Sequence, residues 1–122
     1  MVYLITGKSG AGKTHYAYSL AAELSAEGKQ VKVLDGDWFR KQTSNNDFSN
    51  EGRQLNLIHV AVLARLMEKQ GIIVLVAFIA PKKKWRKQMR SFWEQSRIIY
   101  LPGGTLWENT TYEKPDEIEL TT

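Results

Sequence analysis

The sequence predicts a three-layer α/β domain, a small parallel sheet flanked by helices, and three observations predict it. Short apolar runs alternate with segments of helical period, the mark of βαβ units. One run, residues 72–79, is apolar without a break, as expected of a strand covered on both faces. A glycine-rich stretch at residues 7–14 follows an apolar run and precedes a helical one, the context of a loop at a strand–helix junction.

The elements follow in order. Residues 2–6 read as the first strand. Residues 13–28 read as a helix, with Ala17, Leu20, Ala21 and Leu24 at three-to-four spacing and Gly28 as the stop. Residues 31–35 are a second strand, and residues 37–50 are polar and irregular. Residues 52–70 form an amphipathic helix whose apolar positions include Ile58, Val62, Leu63, Leu66 and Met67, ended by Gly71. A third strand covers 72–79, a helix 85–95, and a fourth strand 97–101. From Pro102 the chain is turn-rich and then acidic. No internal repeat is visible, and residues 1–122 read as one domain: an α/β core over 1–101 and a short segment over 102–122.

Composition narrows the classes. A chain of 122 residues, 43% hydrophobic and 25% charged, has the size and balance of one folded domain. Cysteine is absent, which excludes disulfides, thiolate metal sites and cysteine nucleophiles and fits a reducing compartment, so the expected location is cytoplasmic. The longest apolar run, residues 72–81, is far shorter than the roughly 20 residues a membrane helix needs. The first residues lack a basic flank and do not read as a signal peptide. Lys plus Arg number 17 against 13 acids, a net charge of +4, which suits polyanionic partners without choosing among them.

Gly7-Lys8-Ser9-Gly10-Ala11-Gly12-Lys13-Thr14 matches the phosphate-loop pattern G-x-x-x-x-G-K-[ST]. Glycines let successive N–H groups turn inward on phosphate oxygens, and the following helix adds its positive end. Lys13 should reach the β- and γ-phosphates, and the Thr14 hydroxyl should bind Mg²⁺. The loop therefore implies ATP or a related triphosphate with Mg²⁺, and leaves the acceptor open. Asp37, just past the second strand, is placed to organise Mg²⁺ or take the acceptor's proton, or to cap a helix ahead of Trp38. Asp35 is either a turn or cap residue or a partner to it. Arg40 has the fork of donors that clamps an anion.

Taken together, the phosphate loop, Asp35-Gly36-Asp37-x-x-Arg40, Phe48-Ser49-x-x-x-Arg53-x-x-Asn56, Phe78-Ile79-Ala80-Pro81 and Tyr112-Glu113-x-Pro115 resemble adenylylsulfate kinases, and they occur in that family's order. The resemblance implies a P-loop kinase that moves the γ-phosphate of MgATP to the 3′-hydroxyl of adenylylsulfate. It implies that Asp37 is the acid near the transferred phosphate with Asp35 beside it. Arg40, Arg53 and Asn56 would grip the adenylylsulfate, Phe48 would stack on its adenine, and Phe78, Ile79 and Ala80 would line the pocket. Read from the residues alone, Arg53, Asn56 and His59 recur every three positions and share one helix face opposite the apolar stripe.

Four departures from that family's pattern bear on function. Gly52 stands where an Asp precedes the helix Arg. Ile58 and His59 stand where two basic residues follow the Asn. Ala80 replaces a Ser, so no phosphoserine can form there. The long basic lid between the last strand and the Tyr-Glu-x-Pro motif is replaced by residues 102–111, where Trp107 is the candidate for a missing stacking face or else packs in the core or an interface. The basic run 82–90, six Lys and Arg in nine residues with Trp85 among them, is either a solvated helix face or a surface for phosphates or nucleic acid. Trp85, Trp93 and Trp107 could also form a homodimer surface, and the acidic residues 113–119 could fold back on the basic helix. Rival readings are a kinase with another acceptor, such as a nucleic-acid end, and a non-catalytic nucleotide-binding module.

Overall fold

The computed structural model describes residues 1–43, 49–106 and 111–122. Its strands are β1 (Val2–Thr6), β2 (Val31–Asp35), β3 (Ile73–Ala77) and β4 (Ser96–Tyr100); its helices are α1 (Lys13–Ala26), α2 (Gly36–Thr43), α3 (Asn50–Lys69), α4 (Lys83–Arg90) and α5 (Glu117–Thr121). The strands form one parallel sheet in the order β2-β3-β1-β4. Every strand therefore points its carboxyl end to the same rim, and the loops leaving β1, β2 and β3 gather there.

The two-residue period of the strands sorts their side chains between two cores. Val2, Leu4, Leu34, Val74, Val76 and Ile98 face α3 and α4. Ile5, Leu75 and Ala77, with the half-buried Tyr3, Val33 and Ile99, face α1. A helix layer on each side is why β3 can be apolar at every position. Burying each large aliphatic here contributes about 1.5–3 kcal/mol.

The sequence-based elements hold with shifted ends, and two helices had no place among them: α2, weighed only as an alternative behind an Asp37 cap, and α5. α2 lies in the stretch read as irregular; its polar composition hides it, and Asp35 starts it by accepting the Trp38 N–H at 2.9 Å. α5 is a single acidic turn closed by a capping box between Asp116 and Glu119. On α3 the buried face is Leu57, Val60, Ala61 and Ala64, whereas Val62 and Leu66 are exposed. Small residues allow close approach to the sheet, so bulk alone was a poor guide to the inward face. Asn56 lies on that buried side and His59 does not, so Arg53, Asn56 and His59 do not share a common solvent face.

Candidate active site at the strand ends

The phosphate loop leaves β1 as read from the sequence. Gly7 is required by packing, since a Cβ there would sit 2.6 Å from the Leu101 carbonyl oxygen. Gly12 has φ 92°, a left-handed conformation that glycine adopts without strain, and it stands at the N-terminus of α1. Lys13 Nζ donates to the Lys8 carbonyl at 2.7 Å. Burial lowers the Lys13 pKa from its ordinary value, and the Asp37 carboxylate partly offsets this.

A neighbour of the loop escaped the sequence reading. The Thr105 N–H donates to the Ser9 carbonyl at 2.8 Å, and a Cβ on Gly104 would lie 2.4 Å from that same oxygen. Gly104 and Thr105 thus press against the phosphate loop, and the Gly103-Gly104 pair was the available signal.

Two cavities lie side by side at the rim. The first, about 280 Å³, is lined by the phosphate loop with Lys13, Thr14 and His15, and by Asp37 and Arg40 of α2. The second, about 30 Å³, is lined by Arg40, Arg53, Asn56, Leu57 and residues 78–81. Arg40, Phe78 and Ile79 belong to both. Phe39 packs edge-on against Phe78 with centroids 5.9 Å apart, which ties α2 to this shared wall.

The second cavity has the character of an anion site. Burial first, and the neighbouring Arg40 charge second, lower the Arg53 pKa from the ordinary arginine value. Two converging guanidiniums repel each other, and an anionic ligand would relieve that repulsion through forked hydrogen bonds. Asn56 Oδ1 is buried with no hydrogen-bond partner among the described residues. An unsatisfied buried acceptor costs about 1–3 kcal/mol, and a ligand N–H or O–H would satisfy it.

The wall opposite is held in an unusual shape. Ala80 has φ 44°, a left-handed backbone on a residue with a side chain, which costs on the order of 1–2 kcal/mol. Thr6 Oγ1 donates to the Ile79 carbonyl at 2.5 Å, and Tyr112 OH lies 2.8 Å from Thr6 Oγ1. The single Thr6 hydroxyl proton is committed to Ile79, so Tyr112 donates to Thr6. Burial raises the Tyr112 pKa, which keeps its phenol neutral for that role.

The donor set for Mg²⁺ can be tested on chemistry. Thr14 and Asp37 present hard oxygens to the same cavity, with the Asp37 carboxylate 92% exposed and 3.8 Å from Arg40 Nη1. Mg²⁺ keeps several waters and needs one or two protein oxygens beside a triphosphate. Thr14 and Asp37 fit that requirement.

Other anticipated residues fall differently. Asp35 caps α2 through Oδ1 and lines neither cavity; the cap role weighed for Asp37 is therefore held by Asp35. His59 is exposed and lines neither. Phe48 and Trp107 lie outside the described residues. Trp85 is buried at 3% exposure, so it offers no stacking platform for nucleic acid. Trp93 is also buried and donates from Nε1 to the Ala61 carbonyl at 3.0 Å, so neither tryptophan forms a surface for a second copy. The acidic segment does fold back on the basic helix: Glu119 pairs with Arg86 at 3.0 Å and Asp116 with Lys83. No described helix is long and apolar enough to cross a membrane.

Comparison with known proteins agrees with this geometry. The chain is 40% identical over 102 residues to a probable adenylyl-sulfate kinase of Aeropyrum pernix, covering 83% of this chain and 56% of the relative. It is 42% identical over 100 residues to a probable adenylyl-sulfate kinase of Bacillus subtilis, covering 80% and 51%. The chain thus spans about half the length of the curated relatives it matches. An APS kinase of Mycobacterium tuberculosis, solved in complex with AMPPNP and APS, superposes with a TM-score of 0.78 at 28% identity, covering 82% of this chain and 61% of that one. The family model for adenylylsulphate kinase matches residues 1–103, which carry the phosphate loop, both arginines, Asn56 and the wall, and the chain belongs to that family.

Proposed function

We propose that this chain is an ATP-dependent kinase that transfers the γ-phosphoryl group of ATP to the 3′-hydroxyl of adenylylsulfate. The observation that carries the reading is the shared wall: Arg40 lines both the phosphate-loop cavity and the cavity built from Arg53 and Asn56. A donor in the first and an anionic acceptor in the second would meet at Arg40 and Asp37. The names of the relatives and the family membership support adenylylsulfate as the acceptor.

The roles follow from position. Lys13 exchanges the Lys8 carbonyl for β- and γ-phosphate oxygens, and the N-terminus of α1 stabilises the same charge. Thr14 and Asp37 would hold Mg²⁺, which would supply positive charge against the transferring phosphate. Arg40 and Arg53 clamp the acceptor's anionic group, and Asn56 Oδ1 accepts a hydrogen bond from it. Residues 78–81 form the wall against which the acceptor is placed. Asp37, in the phosphate-loop cavity beside the shared Arg40, would take the hydroxyl proton. Little covalent chemistry is asked of these groups; alignment and charge carry the rate. The reading treats residues 1–122 as one functional unit acting in the cytoplasm, alone or as a homodimer, with Phe48 and Trp107 as candidate stacking faces.

The test is incubation with MgATP and adenylylsulfate and resolution of products by ion-exchange chromatography. A 3′-phosphorylated product that vanishes with Lys13→Ala is expected. ADP and phosphate alone would mean a different acceptor. Binding of both nucleotides with no product in a single-turnover experiment would mean a binding module.

A further inference from the structure

Three consecutive carbonyls of the wall are each held by a different part of the chain. The Ile79 carbonyl accepts from Thr6 of β1, the Ala80 carbonyl from Arg86 Nη1 of α4 at 2.7 Å, and the Pro81 carbonyl from the Glu113 N–H at 2.7 Å. Arg86 is fully buried. Its Nε and Nη2 also engage the Glu119 carboxylate at 3.0 and 3.2 Å, and Nη2 reaches the Glu113 carbonyl at 2.7 Å. Its guanidinium lies 5.7 Å from the Tyr112 ring centroid. One planar fork therefore reads the wall and the C-terminal residues together.

Resting on the reading of residues 78–81 as the acceptor wall, we infer that Arg86 is a positioning residue: it fixes the left-handed Ala80 peptide and makes residues 112–119 part of the acceptor-site architecture. Those residues line neither cavity. A left-handed alanine relaxes toward the extended or right-handed regions unless its surroundings hold it. Arg86 is the side chain that takes its carbonyl. Glu119 keeps the fork oriented and is itself fixed, accepting the Asp116 N–H while Asp116 caps the Glu119 N–H. A lysine at 86 would keep the charge but is a point donor, unable to span two carbonyls and a carboxylate at once. The phosphate loop is held by contacts outside this fork, from Leu101, Gly104 and Thr105. Loss of the fork should thus act on one cavity and spare the other.

The test compares wild type with Arg86→Lys and Glu119→Gln. Calorimetry measures adenylylsulfate and AMP-PNP binding separately, and amide hydrogen exchange follows residues 78–80 against 7–14. Arg86→Lys should weaken adenylylsulfate by about tenfold and leave AMP-PNP within about twofold. Exchange at 78–80 should accelerate while that at 7–14 is unchanged. Glu119→Gln should move the same readouts the same way by less, and it carries the test if Arg86→Lys fails to fold. Unchanged exchange at 78–80 in the folded variants, or equal weakening of both ligands, overturns the inference. A wild type that binds AMP-PNP but not adenylylsulfate refutes the acceptor reading, and the exchange arm alone then decides the role of Arg86.

Discussion

The Lys13 ammonium donates to the Lys8 carbonyl across its own loop at 2.7 Å, so the cation proposed to meet a nucleotide is tied to the loop backbone. Its pKa in this state is held below the ordinary 10.5 by burial, with Asp37 opposing. Phosphate oxygens would favour the charged form and move the pKa back up. Nucleotide binding should therefore take up protons in the alkaline range, between the lowered value and 10.5. Calorimetry at alkaline pH in buffers of different ionisation enthalpy reads this as a positive proton count. Lys13→Met should abolish the uptake together with turnover, lowering kcat by at least about a hundredfold. Proton release on binding would contradict the assignment.

Asn56 separates stability from binding. Its Oδ1 is buried without a partner among the described residues, so Asn56→Leu removes an unsatisfied acceptor and fills similar space. The variant should unfold at the same temperature as wild type or higher, a gain of up to about 1 kcal/mol. The same change should weaken the acceptor by about ten- to a hundredfold and leave AMP-PNP binding intact, because Asn56 lines only the second cavity. A variant that loses stability would show that the side chain is structural rather than held in wait for a ligand.

What was legible in the sequence follows from the range of each signal. The phosphate loop was readable because its chemistry is local: glycines, lysine and threonine must sit at fixed offsets. β3 was readable because burial on both faces leaves an unbroken apolar run, and β1, β2 and β4 because short apolar stretches alternate with helical ones. α2 was not, because its helix is set by the Asp35 cap and by packing of Phe39 on Phe78, a contact between distant residues. The inward face of α3 was misread since Ala61 and Ala64 carry less apparent weight than Val62 and Leu66. Arg86 read as one charge in a basic run, either a solvated face or a surface for phosphates or nucleic acid. Its partners, Ala80 six residues back and the distant Glu113 and Glu119, reveal a buried fork.

Glu68 should set part of the acid limit. Its buried carboxylate is opposed by desolvation, but the N–H groups of Glu94 and Gln95, the terminal ammonium and Arg65 outweigh this and lower its pKa from 4.5. A lowered carboxylate pKa contributes stability that is fully present above the unfolded value and is lost as pH falls through the folded one. Glu68→Gln should cost about 1–3 kcal/mol at neutral pH. Its deficit relative to wild type should shrink as pH drops below 4.5 toward the lowered value. Denaturant titrations at neutral and acid pH measure this, and a deficit that is constant with pH would remove the charge from the explanation.

Ala80 offers a test of the backbone itself. At most buried positions Ala→Gly is destabilising, by backbone entropy of about 0.5–1 kcal/mol and a lost methyl of about 0.8 kcal/mol. Here the φ of 44° adds a strain that glycine does not feel, on the order of 1–2 kcal/mol. The contributions nearly cancel, so Ala80→Gly should leave stability within about 0.5 kcal/mol of wild type. Ala80→Val has the opposite fate, because a β-branched side chain is a true outlier in the left-handed region and the site is 1% exposed. It should lose at least about 2 kcal/mol through strain and overpacking. Chemical denaturation of the pair gives both numbers. A large loss in the glycine variant, with the valine variant tolerated, would mean that the peptide between Ile79 and Pro81 is not left-handed in solution.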